Sequence, residues 1–119
     1  MEYAISVIPT KKLYMGLPTY GYDWDLSGEG KHFGRSFREI EEISTKYKIK
    51  PIWDKEHCEF HFNYTTDCGK PKEIWFSNKD SFSCLLDIVL EKNISGISIW
   101  VLADEDPGVW NTIVEKLKT

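Results

Sequence analysis

Apolar positions along the 119 residues follow two patterns, one with the spacing of helices and one with the continuity or alternation of strands. Leu13, Met15 and Leu17, with Tyr14 between them, make a near-continuous apolar run from Leu13 to Thr19, and Gly96 to Leu102 (GISIWVL) makes another. Runs apolar on both sides are what parallel strands covered on two faces require. Ser36-Phe37-Arg38-Glu39 is a capping box, and Phe37, Ile40, Ile43 and Tyr47 mark one face of the amphipathic helix behind it. Phe82, Leu85, Leu86, Val89 and Leu90 form the stripe of a second helix, capped by Asn78 or Asp80. Asp106-Pro107 supplies an N-cap and a first-turn proline for a third, with Trp110, Ile113, Val114 and Leu117 as its apolar stripe. Lys50 to Asp54, Glu59 to Tyr64 and Lys72 to Phe76 read as short strands, the last two joined as a hairpin through Thr66 to Lys70. Glu2 to Ile8 reads as the last turns of a helix stopped by Pro9, so the chain is expected to be part of a longer one.

The order is helix, strand, a small α+β piece, helix, strand, helix. Two parallel strands joined through a crossover helix, with an excursion between them, make a βαβ unit of an α/β sheet or barrel. Asp25 to Phe33 is polar and Gly-rich and reads as the longest irregular stretch.

Composition narrows the function classes. The net charge of −4 is scattered without a Lys/Arg face, which leaves a phosphate backbone nothing to bind, so no nucleic-acid partner is expected. No apolar run approaches the ~18 residues of a membrane span, and none follows Met1 as in a signal peptide, so neither a membrane partner nor an export signal is read. His32, His57 and His61 share no metal-ligand spacing, and no metal or cofactor is implied. Cys58 and Cys68 flank the hairpin and are a candidate pair, with Cys84 read as core. Five Trp among 14% aromatic residues are the one excess, suited to stacking on flat apolar faces such as sugar rings and equally to a core.

The two long strands run out in TYGYDW and IWVLADED, so aromatics and carboxylates gather at the carboxyl ends of neighbouring strands, where (β/α) barrels place their active sites. The combination VIPTKKLYMGLPTYGYDW, KEIWFSNKDSF and ISGISIWVL resembles the carboxyl-terminal part of glycoside hydrolase family 18 domains, above all the bacterial spore-cortex and germination type. Ile8-Pro9, the strand motif Gly16-Leu17-Pro18-Thr19-Tyr20-Gly21, the insertion and Trp100 match in order. The resemblance implies an α/β fold: the last two strands of a TIM (β/α)8 barrel with their helices over residues 1–24 and 78–119, and an α+β insertion subdomain over 25–77. It implies hydrolysis of β-1,4 bonds in N-acetylglucosamine-containing glycans, chitin or peptidoglycan, assisted by the substrate's own acetamido group. It also implies a parent protein in the extracellular space or the spore or cell envelope of a bacterium.

Two departures stand out. The family's Asp-x-x-Asp-x-Asp-x-Glu motif, which carries the catalytic acid, is absent, and Asp23, Asp25 and Glu29 do not reproduce its spacing. Ser77-Asn78 stand where the bacterial relatives usually place an acidic pair after Trp-Phe. No catalytic residue is therefore expected here, and the chain alone is expected to be inactive. The alternatives are a non-catalytic, lectin-like relative that keeps the cleft, and an unrelated α+β interaction domain.

Candidate substrate-binding residues are Trp100, Tyr20, Tyr22, Asp23 and Trp24. Trp100 matches the family's floor Trp beneath the sugar at the cleavage point; its other reading is a core Trp. Tyr20 and Tyr22 either hydrogen-bond sugar hydroxyls, with Asp23 orienting them, or cap the barrel by packing. Trp24 either walls the cleft or anchors the insertion. Trp53 and Trp75 are read as cross-strand packing and Trp110 as core. Strands left with bare edges predict that the isolated chain associates with itself.

Overall fold

The computed structural model describes residues 1–28 and 31–118 and contains two sheets. The first pairs β1 (Tyr14–Pro18) with β7 (Gly96–Trp100) in parallel, in a register running from Tyr14 opposite Gly96 to Pro18 opposite Trp100. The helices α3 (Lys79–Glu91) and α4 (Gly108–Leu117) cover one face of this pair. Leu17, Phe82, Leu86 and Val109 are buried there, with Met15, Ile97, Ile99 and Ile113 packed around them. The opposite face, Tyr14, Gly16, Ser98 and Trp100, is exposed. A short helix α1 (Glu2–Val7) and one turn of 3-10 helix lead into β1.

Between the two parallel strands lies an antiparallel sheet of five strands in the order β3-β2-β6-β5-β4. Its members are β2 (Gly21–Asp25), β3 (Phe33–Arg35), β4 (Ile52–Asp54), β5 (Glu59–Thr65) and β6 (Pro71–Phe76). The helix α2 (Phe37–Lys46), capped reciprocally by Ser36 and Glu39 as the capping box predicts, lies on one face. A core of Ile40, Phe62, Tyr64, Ile74 and Phe76 forms beneath it.

TYGYDW is not the tail of the first strand. β1 stops at Pro18, and Gly21–Asp25 is a separate strand pairing with β6, so the five-stranded sheet begins four residues before the expected Asp25. The buried positions of β2 are Gly21, Asp23 and Asp25, and an apolar pattern cannot reveal a strand whose inward side chains are glycine and aspartate. Gly21 is required there: a Cβ would meet the Phe76 Cβ and the Trp75 carbonyl oxygen at 2.6 Å each. Glu29 lies outside the described residues.

The disulfide joins Cys58 to Cys84, and Cys68 is exposed and free, which corrects the Cys58–Cys68 pairing and the reading of Cys84 as core. Cys58 precedes β5 and Cys68 follows it, and a seven-residue strand separates the two by roughly 20 Å. Cys84 on α3 stands with its Cα 5.9 Å from that of Cys58. The bond thus ties the five-stranded sheet to the helix covering β1 and β7. Asp106 adds a link between helices, accepting from the Lys79 N–H that opens α3 and the Gly108 N–H that opens α4, both at 2.9 Å. Trp110 is not core: the buried residue of α4 is Val109, while Trp110 is 40% exposed and its indole N–H donates to Glu105. Among the described residues no helix is long and apolar enough to cross a membrane.

Candidate functional site

Two adjoining hollows share Pro18 and Tyr20 and together form a groove from the carboxyl ends of β1 and β7 onto the open face of the five-stranded sheet. The first, about 420 Å³, lies between Gly16, Pro18, Tyr20, Ser98 and Trp100. Gly16 and Ser98 keep its floor low. Trp100 is 71% exposed, and its indole lines this hollow. Thr19 holds the strand ends together: its N–H donates to the Trp100 carbonyl at 2.9 Å, and its hydroxyl both accepts from the Val101 N–H and donates to the Val101 carbonyl at 2.7 Å. The Trp100–Val101 peptide is cis.

The second hollow, about 400 Å³, is built on strand alternation. Tyr22 stands opposite Trp75, Trp75 opposite His61, and His61 opposite Ile52, one row of outward side chains across four strands. His61 stacks on Trp75 with ring centroids 4.3 Å apart and planes at 14°. Tyr20 meets Tyr22 edge-on at 5.6 Å, and Tyr22 lies 5.2 Å from Trp24. Trp75 donates its indole N–H to Glu73, which fixes the ring in place. His57 places its ring 5.6 Å from Trp75, and its Nδ1 lies 3.1 Å from Asp54. Hydrogen bonding from the His57 backbone N–H holds the Asp54 carboxyl below its usual range. Burial in the hollow pushes Glu59 above the ordinary range, although His57 pulls the other way.

Asp23 belongs to the other face. It is fully buried under α2, accepting from the Tyr64 hydroxyl at 2.7 Å and from Arg35 Nε at 3.1 Å, with the Lys72 ammonium 3.7 Å away. Burial, and then the bond to Asp23, push the Tyr64 pKa up. Burial alone lowers that of Arg35, but its bonds to Asp23 and Glu39 outweigh this and raise it. Asp23 therefore cannot orient a sugar or a groove tyrosine; it joins β2, β3, β5 and β6. Of the candidate site residues the groove gathers Trp100, Tyr20, Tyr22 and Trp24.

Trp75 packs across the strands on His61 as read, but the sequence reading placed neither it nor His57, Glu59 or Thr19 at the groove. The alternation in EFHFNY and KEIWF, with Phe60, Phe62, Ile74 and Phe76 inward, already places Glu59, His61 and Trp75 on the opposite face.

An aromatic groove with polar rims at the carboxyl ends of parallel strands suits stacked pyranose rings. Residues 1–106 match the family model described as glycosyl hydrolases family 18. The chain belongs to that family. Within family 18 it is 30% identical over 118 residues to the cortical fragment-lytic enzyme of Bacillus anthracis, covering 97% of this chain and 27% of that one. The crystal structure of the Bacillus cereus spore cortex-lytic enzyme SleL superposes with a TM-score of 0.89 at 30% identity, over 97% of this chain and 28% of that chain. A chitinase from Chromobacterium violaceum superposes with a TM-score of 0.88 at 25% identity, over 99% of this chain and 37% of that chain. The resemblance read from the sequence, to the bacterial spore-cortex type, is confirmed. The chain spans 33% and 27% of the lengths of two curated relatives, the Bacillus subtilis glycosylase YvbX and the Bacillus anthracis enzyme.

Proposed function

We propose that this chain is the carboxyl-terminal part of a family 18 (β/α)8 barrel, with its α+β insertion, in a glycosidase that cleaves β-1,4 bonds of N-acetylglucosamine-containing glycans, chitin or spore peptidoglycan. Its share of the work is to bind and orient the glycan. The observation that carries this reading is Trp100: a Trp at the carboxyl end of a parallel strand, 71% exposed, at one end of a groove that continues through Tyr20 onto an aromatic sheet face. Pyranose C–H groups carry partial positive charge and lie against an indole face, while the tyrosine hydroxyls and the Glu59 carboxyl at the rims hydrogen-bond hydroxyl and amide groups.

In substrate-assisted hydrolysis the sugar's acetamido oxygen attacks its own anomeric carbon, a departure from paired enzyme carboxylates. A proton donor must reach the leaving oxygen, and the family's acidic motif for that role is not in this chain. Trp100 and Thr19 then serve the reaction by position: the indole fixes the ring and Thr19 fixes the strand end that bears the indole. The names of the relatives, cortical fragment-lytic and spore cortex-lytic enzymes, support a setting at the spore or cell envelope.

Trp100→Ala tests the reading. Loss of one aromatic stacking contact, ~0.5–1.5 kcal/mol, lowers affinity for an N-acetylglucosamine tetramer about two- to tenfold, whereas Trp110→Ala leaves affinity unchanged. Titration calorimetry giving equal affinities for the two variants would remove Trp100 from the site.

A further inference from the structure

One carboxyl group in the groove has no task in the fold. Glu59 opens β5 and enters the second hollow beside Tyr20, Tyr22, Trp24 and Trp75. Among the described residues it has neither a hydrogen-bond nor an ion-pair partner; burial dominates its environment, with His57 and Asp54 as the nearest charged influences. The other titratable groups around it are engaged. His57 Nδ1 is held 3.1 Å from Asp54. Glu73 on β6 accepts the Trp75 indole N–H, and His61 lies stacked on Trp75. Among the described residues no Lys or Arg lines the hollow.

Such a hollow ranks ligands by charge. An ammonium pairs with the desolvated carboxylate and is drawn to the faces of Trp and Tyr. A neutral amide gives one ordinary hydrogen bond. A carboxylate meets the like charge of Glu59, with no Lys or Arg among the lining residues to offset it. We infer that the second hollow is a charge-reading subsite, which favours a glucosamine residue with a free ammonium over an N-acetylated one and rejects a sugar that bears a carboxylate. This rests on the groove being a glycan site and concerns the sugar beside the one over Trp100, whose own acetamido group is left in place.

The test is calorimetric titration near neutral pH, above the raised range of Glu59 and low enough for the glucosamine amine to carry charge. Three probes of equal length are used: a tetrasaccharide alternating glucosamine with N-acetylglucosamine, an N-acetylglucosamine tetramer, and a tetrasaccharide alternating N-acetylglucosamine with N-acetylmuramic acid. The alternating glucosamine probe is expected to bind about tenfold tighter than the fully N-acetylated one, with the acidic probe weakest. Glu59→Gln brings the three close together, and Glu59→Lys makes the acidic probe the tightest. The order in the unaltered protein is measured first, so the test does not depend on either variant folding. Equal affinities in the unaltered protein, or an order that survives Glu59→Gln, overturn the inference while leaving the glycan site intact. Failure of all three probes to bind overturns both.

Discussion

Asp23 and Trp24 are neighbours in the chain and lie on opposite faces of one sheet, because a strand turns successive side chains to opposite sides. Trp24 faces the groove, and Asp23 is sealed under α2 with Arg35, Tyr64 and Lys72 around it. Asp23→Ala strands those partners, and because Arg35 is partly exposed the expected loss is about 2–4 kcal/mol. Urea unfolding measures it; a loss below about 1 kcal/mol would mean the cluster is not holding the sheet together. Glu59 makes a prediction about pH. A carboxyl whose pKa is higher folded than unfolded binds its proton more readily in the folded state. The fold therefore loses stability as pH climbs from the ordinary Glu range, near 4.5, through the raised value. Glu59→Gln removes that loss, so the variant melts higher than the parent at neutral pH, and the difference vanishes in acid below the ordinary Glu range. A difference that persists in acid would assign the effect to something other than ionisation. Residue positions were legible in the sequence where a motif carried them, as for Trp100 at the end of GISIW. Asp23 was misread because an aspartate between aromatics in a strand looks the same whether it faces ligand or core.

Elements were legible where apolar side chains mark the buried face. The Ser36–Glu39 box and the stripe behind it gave α2, the two-sided runs gave β1 and β7, and the alternation from Phe60 to Tyr64 gave β5. β2 was hidden by its inward Gly21, Asp23 and Asp25, and β3 by its three-residue length. α4 was recognised, and its Ile113 and Leu117 face the core as read, but Val109 completes the inner edge while Trp110 and Val114 lie outside. The disulfide was not legible at all, because pairing of Cys58 with Cys84 depends on how α3 packs against the start of β5 and not on spacing along the chain. These unmarked features matter most for the site, since β2 carries Tyr22 and Trp24, and the disulfide holds the segment between His57 and Glu59.

At the scale of the molecule the chain is extended for its size. Its radius of gyration is 16.0 Å, against about 13.5 Å for a compact chain of this length. Its accessible surface is 7840 Å², against about 6,700 Å² for a folded monomer of this mass. Part of the excess is the open face of β1 and β7, where Tyr14 is 64% and Trp100 71% exposed. Each of these strands is paired on one side alone, and unpaired edges recruit other strands. The isolated 119-residue chain is expected to form dimers or larger assemblies by light scattering at micromolar concentration. A monomer at every concentration, with both strands protected from hydrogen exchange, would contradict this.

The central claim is that one groove, from Trp100 through Tyr20 to Trp24 and Trp75, holds an N-acetylated glycan. The five indole N–H groups give separate NMR signals, so titration with an N-acetylglucosamine tetramer reads the groove directly. The account predicts that the signals of Trp100, Trp75 and Trp24 move together along one binding curve while those of Trp53 and Trp110 stay still. Movement confined to Trp53 and Trp110, or no movement at any concentration of glycan, would contradict it.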